Sequence, residues 1–355
     1  MSYFFAAYAL CVNFALWGGG LALWVLPRKW RRCWPGVAPA FGVALQSAVV
    51  WVGAHTGLRG TDSYGVWTVL APVLLLGFAV RKTGIRQVMR DLFRWRAVGA
   101  IMAGSLVLLT LPLAWRADNL TTTSLGSCDA ADYAAGARVF KEFTRGDRDG
   151  FLGLTEVVSV GSTDNFFDFW LKLNHFTPSA LIALNGSLSG KAPYELTGIL
   201  TVVLLVLVIP VVYLVARSVF PFRPVPALWL GFIFGLSPIN WYAAYHVAPA
   251  QLIAAMGIGL VTWLAWLLWR ERSRRETWRY FASLAVVFSL LWGAYNFIIV
   301  VCLVPAGAIV AGCVWTEKRW ADFSWWVFRL LLPMLAAGGF YFERVAGLAE
   351  RFFAF

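Results

Sequence analysis

Little of this sequence is charged. Asp, Glu, Lys and Arg make up 14% of its 355 residues, against roughly a quarter of a soluble domain, which excludes a water-solvated globule. Cysteine is sparse as well: Cys11, Cys33, Cys128, Cys302 and Cys313 are scattered, odd in number and without a C-x-x-C, so no disulfide framework is expected. His55, His175 and His246 are too far apart for zinc-ligand spacing. Walker-A, G-x-G-x-x-G, G-x-S-x-G and H-E-x-x-H patterns are all missing, which leaves nucleotide-driven and zinc-hydrolytic mechanisms without support. No inverted repeat of the transporter kind is visible. What the chain has in excess is apolar surface: 60% of it is hydrophobic, with 20 Trp and 27 Phe. Such a chain is committed to crossing lipid, since each crossing takes about 20 apolar residues. The net charge of +12 is not a nucleic-acid footprint, because the basic residues fall in short blocks between apolar segments. No nucleic-acid partner is expected.

Ten apolar segments can be marked off, at 3–26, 36–57, 64–80, 97–115, 195–216, 225–240, 247–269, 280–296, 298–315 and 325–342. The expected fold class is an all-α polytopic membrane protein of about ten transmembrane helices, with one large extracytoplasmic loop containing short helices. Nine or eleven crossings are the alternatives, because the third and sixth segments are short and the eighth and ninth nearly touch at Tyr295-Asn296-Phe297. Ten fits the charges best. Arg28 and Lys29 follow the first segment, Arg81 and Lys82 the third, Arg217 and Arg223 the fifth, Arg270 and Arg279 the seventh, Lys318 and Arg319 the ninth. The short loops after the even segments hold almost nothing basic beyond Arg59. By the positive-inside rule the basic loops face the cytoplasm and the N-terminus lies outside. Gly84, Ser273 and Trp320 are then cytoplasmic, and Gly126, Gly161 and Tyr242 are outside. The opening segment lacks a basic n-region and reads as a span instead of a signal peptide. A bacterial inner (plasma) membrane is the expected location. Pro72, Pro112, Pro210, Pro305 and Pro333 lie in or near spans and predict kinks.

One outside loop, 116–194, breaks this economy. It holds nine of the eighteen acidic residues, together with Arg138, Arg145, Arg148 and His175. The spans are nearly free of ionisable groups, which argues against an ion-coupled carrier. Within the loop, 127–143 (SCDAADYAAGARVFKEF) has helical apolar spacing at Tyr133, Ala137 and Phe140, with Asp129 and Asp132 on one face near its start. Either acid reads in two ways. It is a cap or first-turn acid at the positive end of the helix dipole, or an ionised carboxylate that takes a proton from an acceptor hydroxyl or holds a divalent metal. Residues 164–174 (DNFFDFWLKLN) are expected to lie along the membrane surface with Phe166, Phe167, Phe169 and Trp170 partly in lipid. A second short helix, SALIALNGSL, is expected in the headgroup layer, as an anchor or as the floor of a cavity. His175 reads as a structural residue or as a partner of a phosphate or a carboxylate, and His246 lies at the outer interface. Trp241, Tyr242 and Tyr245 read as an aromatic belt or as a wall of a cavity. Asn119-Leu120-Thr121 and Asn185-Gly186-Ser187 fit the glycosylation sequon, a triplet frequent by chance.

The acidic helix CDAADYAAGARVF, followed by NHFTPSALIAL and further spans, resembles the C-type (GT-C) polyprenyl-phosphate-sugar-dependent membrane glycosyltransferases over about 97–342. The resemblance implies transfer of a sugar from a polyprenyl-phosphate carrier outside the cytoplasm, with an acid of the first long loop as base. It implies Asp129 or Asp132 in that role, a divalent metal as an optional cofactor, and Arg138, His175 and His246 as phosphate partners. Membrane lipid and the lipid-linked sugar are the implied partners. Three spans precede the one that normally starts such a fold, and the acids stand as Asp-x-x-Asp where several such families have adjacent Asp-Glu. The domain reading is 1–96, three helices and a basic cytoplasmic loop, then a GT-C-like membrane domain at 97–355 that is truncated at its C-terminus or lacks the usual final domain. A lipid-glycan flippase, polymerase or ligase-like protein is the alternative, and an uncoupled transporter or scaffold subunit the third.

Overall fold

The computed structural model describes residues 3–116, 129–145, 166–271 and 276–353. Several expectations lie outside the described residues: the orientation markers Gly126, Gly161 and Ser273, the loop charges Asp118, Asp147, Arg148, Asp149, Glu156 and Asp164, Cys128, and the sequon at Asn119. Every regular element among the described residues is helical. In chain order these are α1 (Tyr3–Val25), a tight turn at Arg28–Cys33, α2 (Trp34–His55), α3 (Gly60–Thr68), α4 (Leu70–Thr83), α5 (Ile85–Arg94) and α6 (Arg96–Arg116). Then come α7 (Asp129–Glu142), α8 (Phe166–Asp168) running into a π turn at Phe169–Leu173, α9 (Phe176–Ser189), α10 (Pro193–Ser218), α11 (Pro224–Leu236) and α12 (Pro238–Tyr245). The rest are α13 (Pro249–Arg270), α14 (Thr277–Ala294), α15 (Leu303–Glu317), α16 (Trp320–Phe340) and α17 (Phe342–Phe353).

Among the described residues eight helical stretches are long and apolar enough to cross a membrane: Tyr3–Val25, Arg28–His55, Gly60–Thr83, Arg96–Trp115, Pro193–Ser218, Pro249–Arg270, Asn296–Glu317 and Trp320–Phe340. The pair α11–α12, bent by 45°, makes up to nine. In hydrocarbon each backbone N–H and C=O must be satisfied within its own segment, which is why such a composition folds as helices. The chain is an all-α polytopic integral membrane protein. The expected segment at 280–296 falls on α14, which is helical but is not among those eight.

The α11–α12 bend has a local cause. Pro238 pushes Ser237 into an extended conformation (ψ 132°), which ends α11, and Pro238 then opens α12. The carbonyls left over are met by side chains: Asn240 Nδ2 donates to Phe234 O at 2.6 Å and Trp241 Nε1 to Gly235 O at 3.2 Å. Of the prolines expected to kink spans, Pro112, Pro210 and Pro333 lie inside helices, while Pro72 and Pro305 sit in first turns, where no intrahelical bond is lost. α1 and α2 pack with their backbones touching. A Cβ on Gly18 would overlap the Ala38 carbonyl oxygen, and one on Gly42 that of Phe14. Small residues permit the approach that dispersion needs where lipid removes the hydrophobic drive between helices.

The basic loops meet at one end of the bundle. Arg28 pairs with Glu276 at 3.5 Å, Trp95 Nε1 donates to Arg32 O at 3.1 Å, the Trp95 ring meets Tyr213 edge-on at 5.5 Å, and Arg270 pairs with Glu317 at 3.3 Å. At the other end the Gly60 N–H donates to Phe143 O at 3.0 Å and Asn296 Nδ2 to Arg344 O at 3.0 Å. The loops thus alternate between ends as the charge pattern requires.

Two expectations for the long loop are corrected. Phe167 and Trp170 do not enter lipid: both are buried against α7, Phe167 edge-on to Phe140 at 5.2 Å and Trp170 flat over Gly136, where a Cβ would strike its indole. Phe169 alone of the described pair-and-single is exposed, and the Phe166 side chain lies outside the described residues. The SALIALNGSL helix is not laid on lipid either but enclosed by protein. α9 is buried from Phe176 to Gly186 and packs against α2, α3, α7 and α10. Its Asn185 receives a hydrogen bond from Asn13 Nδ2 and donates to Gln46 Oε1, both at 2.7 Å, so that sequon is closed to modification in the folded protein.

Candidate functional site

α7 is held by its apolar stripe. Ala130, Tyr133, Ala137 and Phe140 are all buried, at the i, i+3, i+4 spacing the sequence predicts, and Gly136 lets the Trp170 indole lie on the helix. Ser179 Oγ of α9 donates to Tyr133 O at 3.2 Å, which fixes the two helices against each other. Asp129 and Asp132 stand in the first turn of α7, and the chain from Asn174 comes up beside them.

The Asp132 Oδ2 accepts a hydrogen bond from Asn174 Nδ2, and Asn174 Oδ1 accepts the His175 backbone N–H at 2.7 Å. His175 then stacks on Tyr295, with centroids 4.7 Å apart and planes at 15°, and Tyr133 lies 6.4 Å from the same imidazole. The 174–175 link thus joins Asp132 of α7 to the α14–α15 turn, where Tyr295 stacks on His175, and α9 is tied to α7 through Ser179. Asp132 is partly buried, stands in the first turn of α7 and has the Asn174 side chain as a partner. Burial first, then the charges of Asp129 and Asp132 and the nearby Tyr295, push the Tyr133 phenol far above its ordinary value. It remains a protonated hydrogen-bond donor throughout the physiological range.

The backbone under Asn174 is clamped by Arg344, whose side chain is fully buried. Its guanidinium donates to three carbonyls, Asn174 at 2.6 Å, Trp292 at 2.8 Å and Leu171 at 3.2 Å. The neighbouring Glu343 joins a second assembly. Arg145 reaches Asp168 through Nε at 2.7 Å and Nη2 at 3.2 Å, and Glu343 through Nη1 at 2.9 Å and Nη2 at 3.0 Å. Lys172 adds a contact to Asp168 at 3.1 Å, and His55 Nε2 stands 3.4 Å from Glu343 while its Nδ1 donates to Trp51 O at 2.8 Å. Burial alone would lower Arg145, but hydrogen bonds and charge from Asp168 and Glu343 outweigh it and raise it. Burial would raise Asp168, and Arg145 and Lys172 reverse that and hold it below the usual carboxylate value. These ion pairs tie α17 to the long loop and to the end of α2.

Of the sequence-derived candidates, Asp132 and His175 are brought together with Asp129 beside them. Arg138 is not among them: it lies half-exposed on α7, paired along the helix with Glu142 at 3.1 Å. His246 stacks on Tyr242 at 4.9 Å in α12, and Tyr245 of the same helix donates to Leu109 O at 2.7 Å, a tie between α12 and α6. Asn174, Tyr133, Tyr295 and Arg344 were not singled out from sequence. Asn174 stood next to His175, and Arg344 follows Glu343 just after the last span. Among the described residues no three His, Cys, Asp or Glu side chains converge to hold a metal ion. Three clefts can be described, at Trp269 and Arg319, at Asn13 and Asn185, and at Trp30 and Arg217, and none is lined by Asp129 or Asp132. The segments 117–128 and 146–165, which adjoin α7 in the chain, lie outside the described residues.

No family model, curated protein or solved structure matches the chain. The functional reading rests on its own residues.

Proposed function

We propose that this protein is a membrane glycosyltransferase that moves a sugar from a polyprenyl-phosphate carrier to an acceptor on the extracytoplasmic side of a bacterial inner membrane, its N-terminus on that side. The observation that carries the reading is the Asp132–Asn174 hydrogen bond, which joins the acidic helix to the Asn-His-Phe segment. In this reading Asp132 is the general base. Asn174 holds one carboxylate oxygen, and Oδ1, which makes no bond among the described residues, faces the acceptor hydroxyl. As the acceptor oxygen bonds to the sugar's anomeric carbon, its proton passes to Asp132 and the bond from that carbon to the carrier phosphate breaks with its electron pair on phosphate. In this reading His175, stacked on Tyr295, donates to the leaving phosphate, and the Tyr133 phenol is a second donor in the same cluster. Asp129 supplies negative charge one turn away and would join Asp132 on a divalent metal if the reaction uses one.

The test is incubation of the purified protein with a panel of polyprenyl-phosphate sugars and membrane acceptors, reading release of prenyl phosphate. Release that requires Asp132 supports the proposal. Movement of a lipid-linked sugar across vesicles without release points to the flippase class instead.

A further inference from the structure

At the basic end of the bundle a cleft of about 420 Å³ opens between the Arg28–Cys33 turn, the α5–α6 junction and the last turns of α10. That volume is within the roughly 300–1,000 Å³ of ordinary ligand sites. Trp30, Arg32, Arg94, Trp95, Tyr213 and Arg217 line it, and no carboxylate does. The cleft near Trp269 differs in this respect: there Arg319 is satisfied by Asp322 at 2.6 Å and by Glu317 at 3.2 Å. In the first cleft the guanidinium of Arg32 makes no bond among the described residues, and Arg217 reaches only the Phe222 carbonyl. The nearest acid, Asp91, is 2% exposed and turned to Gln87 at 2.8 Å, with Arg94 at a loose 3.4 Å. Three arginines thus line the cleft: Arg94 has Asp91 as a loose partner, while Arg32 and Arg217 meet no carboxylate among the described residues.

The surroundings say which anion. α5 borders the cleft with Ile85, Met89, Leu92 and Phe93 exposed on one side and basic residues on the other, the pattern of a helix lying in the membrane interface. Trp30 and Trp95 flank the opening, the residue type that settles at headgroup depth. A phosphate held there would come from a lipid whose acyl chains run down beside α5 and α10. Basic pockets between helices at this depth are suited to such headgroups, each arginine contributing about a fivefold gain. We propose that this cleft binds the phosphate headgroup of an anionic membrane lipid, a site separate from the Asp132 cluster and independent of the reaction proposed for it.

The experiment is native mass spectrometry of the delipidated full chain in detergent, titrated with phosphatidylglycerol, with phosphatidylcholine, and with inorganic phosphate alone. The proposal expects one saturable phosphatidylglycerol, little phosphatidylcholine, and no protection by inorganic phosphate. The double variant R32Q/R217Q should weaken phosphatidylglycerol about thirtyfold. The double variant R81Q/R86Q removes the same charge from exposed positions outside the cleft and should bind as the native chain does. Equal binding by the native chain and R32Q/R217Q overturns the site, as does equal weakening by R81Q/R86Q. Full competition by inorganic phosphate would overturn the lipid as its source.

Discussion

The Asn174 side-chain amide donates to the Asp132 carboxylate across 42 residues of chain. The sequence slightly prefers Asp132, because Asp129 is the likelier cap, and this contact supports that preference. Asp132→Asn keeps the shape and the hydrogen-bonding capacity while removing the basicity. It is expected to reduce sugar transfer roughly 10²–10⁴-fold with little change in thermal stability. Asn174 is a positioning residue: Asn174→Ala should cost about ten- to a hundredfold in rate while leaving the pH profile of the base in place. Asp129→Asn should stay within a few-fold of the native rate. Normal transfer by Asp132→Asn would remove the base from the proposal.

How much of this could be read from the chain divides along physical lines. Length and hydropathy located helices because lipid imposes a minimum apolar run: each of the ten expected segments overlaps one or two helices, and among the described residues eight stretches, or nine with the bent α11–α12 pair, are long and apolar enough to cross. Hydropathy could not say which helices face lipid. α10, the most hydrophobic of the candidate spans, is among the most buried, while Gly60–Thr83 is mostly exposed, because a protein interior and a lipid tail are equally apolar. The same ambiguity misplaced Phe167 and Trp170: aromatic residues among charges suit an interface, but a glycine at 136 on a distant helix offers the indole a closer fit. The i, i+3, i+4 stripe of α7 was legible because it is local. Asn174, Tyr295 and Arg344 were not, since their contacts join positions between 42 and 173 residues apart and no single-sequence period records them.

Arg145 meets both Asp168 and Glu343, and all three are partly buried. Arg145→Ala would leave the two carboxylates facing each other and is expected to lower stability by about 1–3 kcal/mol, less than for a fully buried pair because water reaches the group. Arg145→Lys should recover only part of the loss, since an ammonium cannot present two forks at once. The exposed Arg138→Ala serves as the comparison, with an expected cost below about 0.5 kcal/mol. Thermal unfolding in a fixed detergent reads all three, and equal midpoints for Arg145→Ala and Arg138→Ala would show that the ion pairs do not hold α17 in place.

The same assembly gives an acid dependence with a defined sign. Asp168 is held below its usual value in the folded chain, so its ionised form contributes stability above the unfolded carboxylate value of about 3.9. That contribution is lost as pH falls below about 4 and through the folded value. The unfolding midpoint should therefore drop on acidification in this range, and the drop should be shallower in Asp168→Asn, which starts without the contribution. Parallel curves for the two proteins would contradict the assignment.

Orientation can be tested on the positions that the fold leaves open. Lys82 and Trp320 are exposed near the end where the basic blocks meet, and Arg59 and Tyr242 are exposed near the other. Lys82 is a better probe than the adjacent Gly84, whose φ of +88° would strain any side chain. On a cysteine-free background in intact cells, an impermeant thiol reagent should label Arg59→Cys and Tyr242→Cys and should reach Lys82→Cys and Trp320→Cys only after permeabilisation. The reasoning is electrostatic: inverting the chain would place five basic blocks on the translocated side, against the bias that sets membrane topology. The outcome also bears on the chemistry, because Asp132 shares its end of the bundle with Arg59 through the Gly60–Phe143 and Lys141–Asp62 contacts. Labelling of Lys82→Cys in intact cells would move the Asp132 cluster to the cytoplasmic side, where an extracytoplasmic lipid-linked sugar could not reach it.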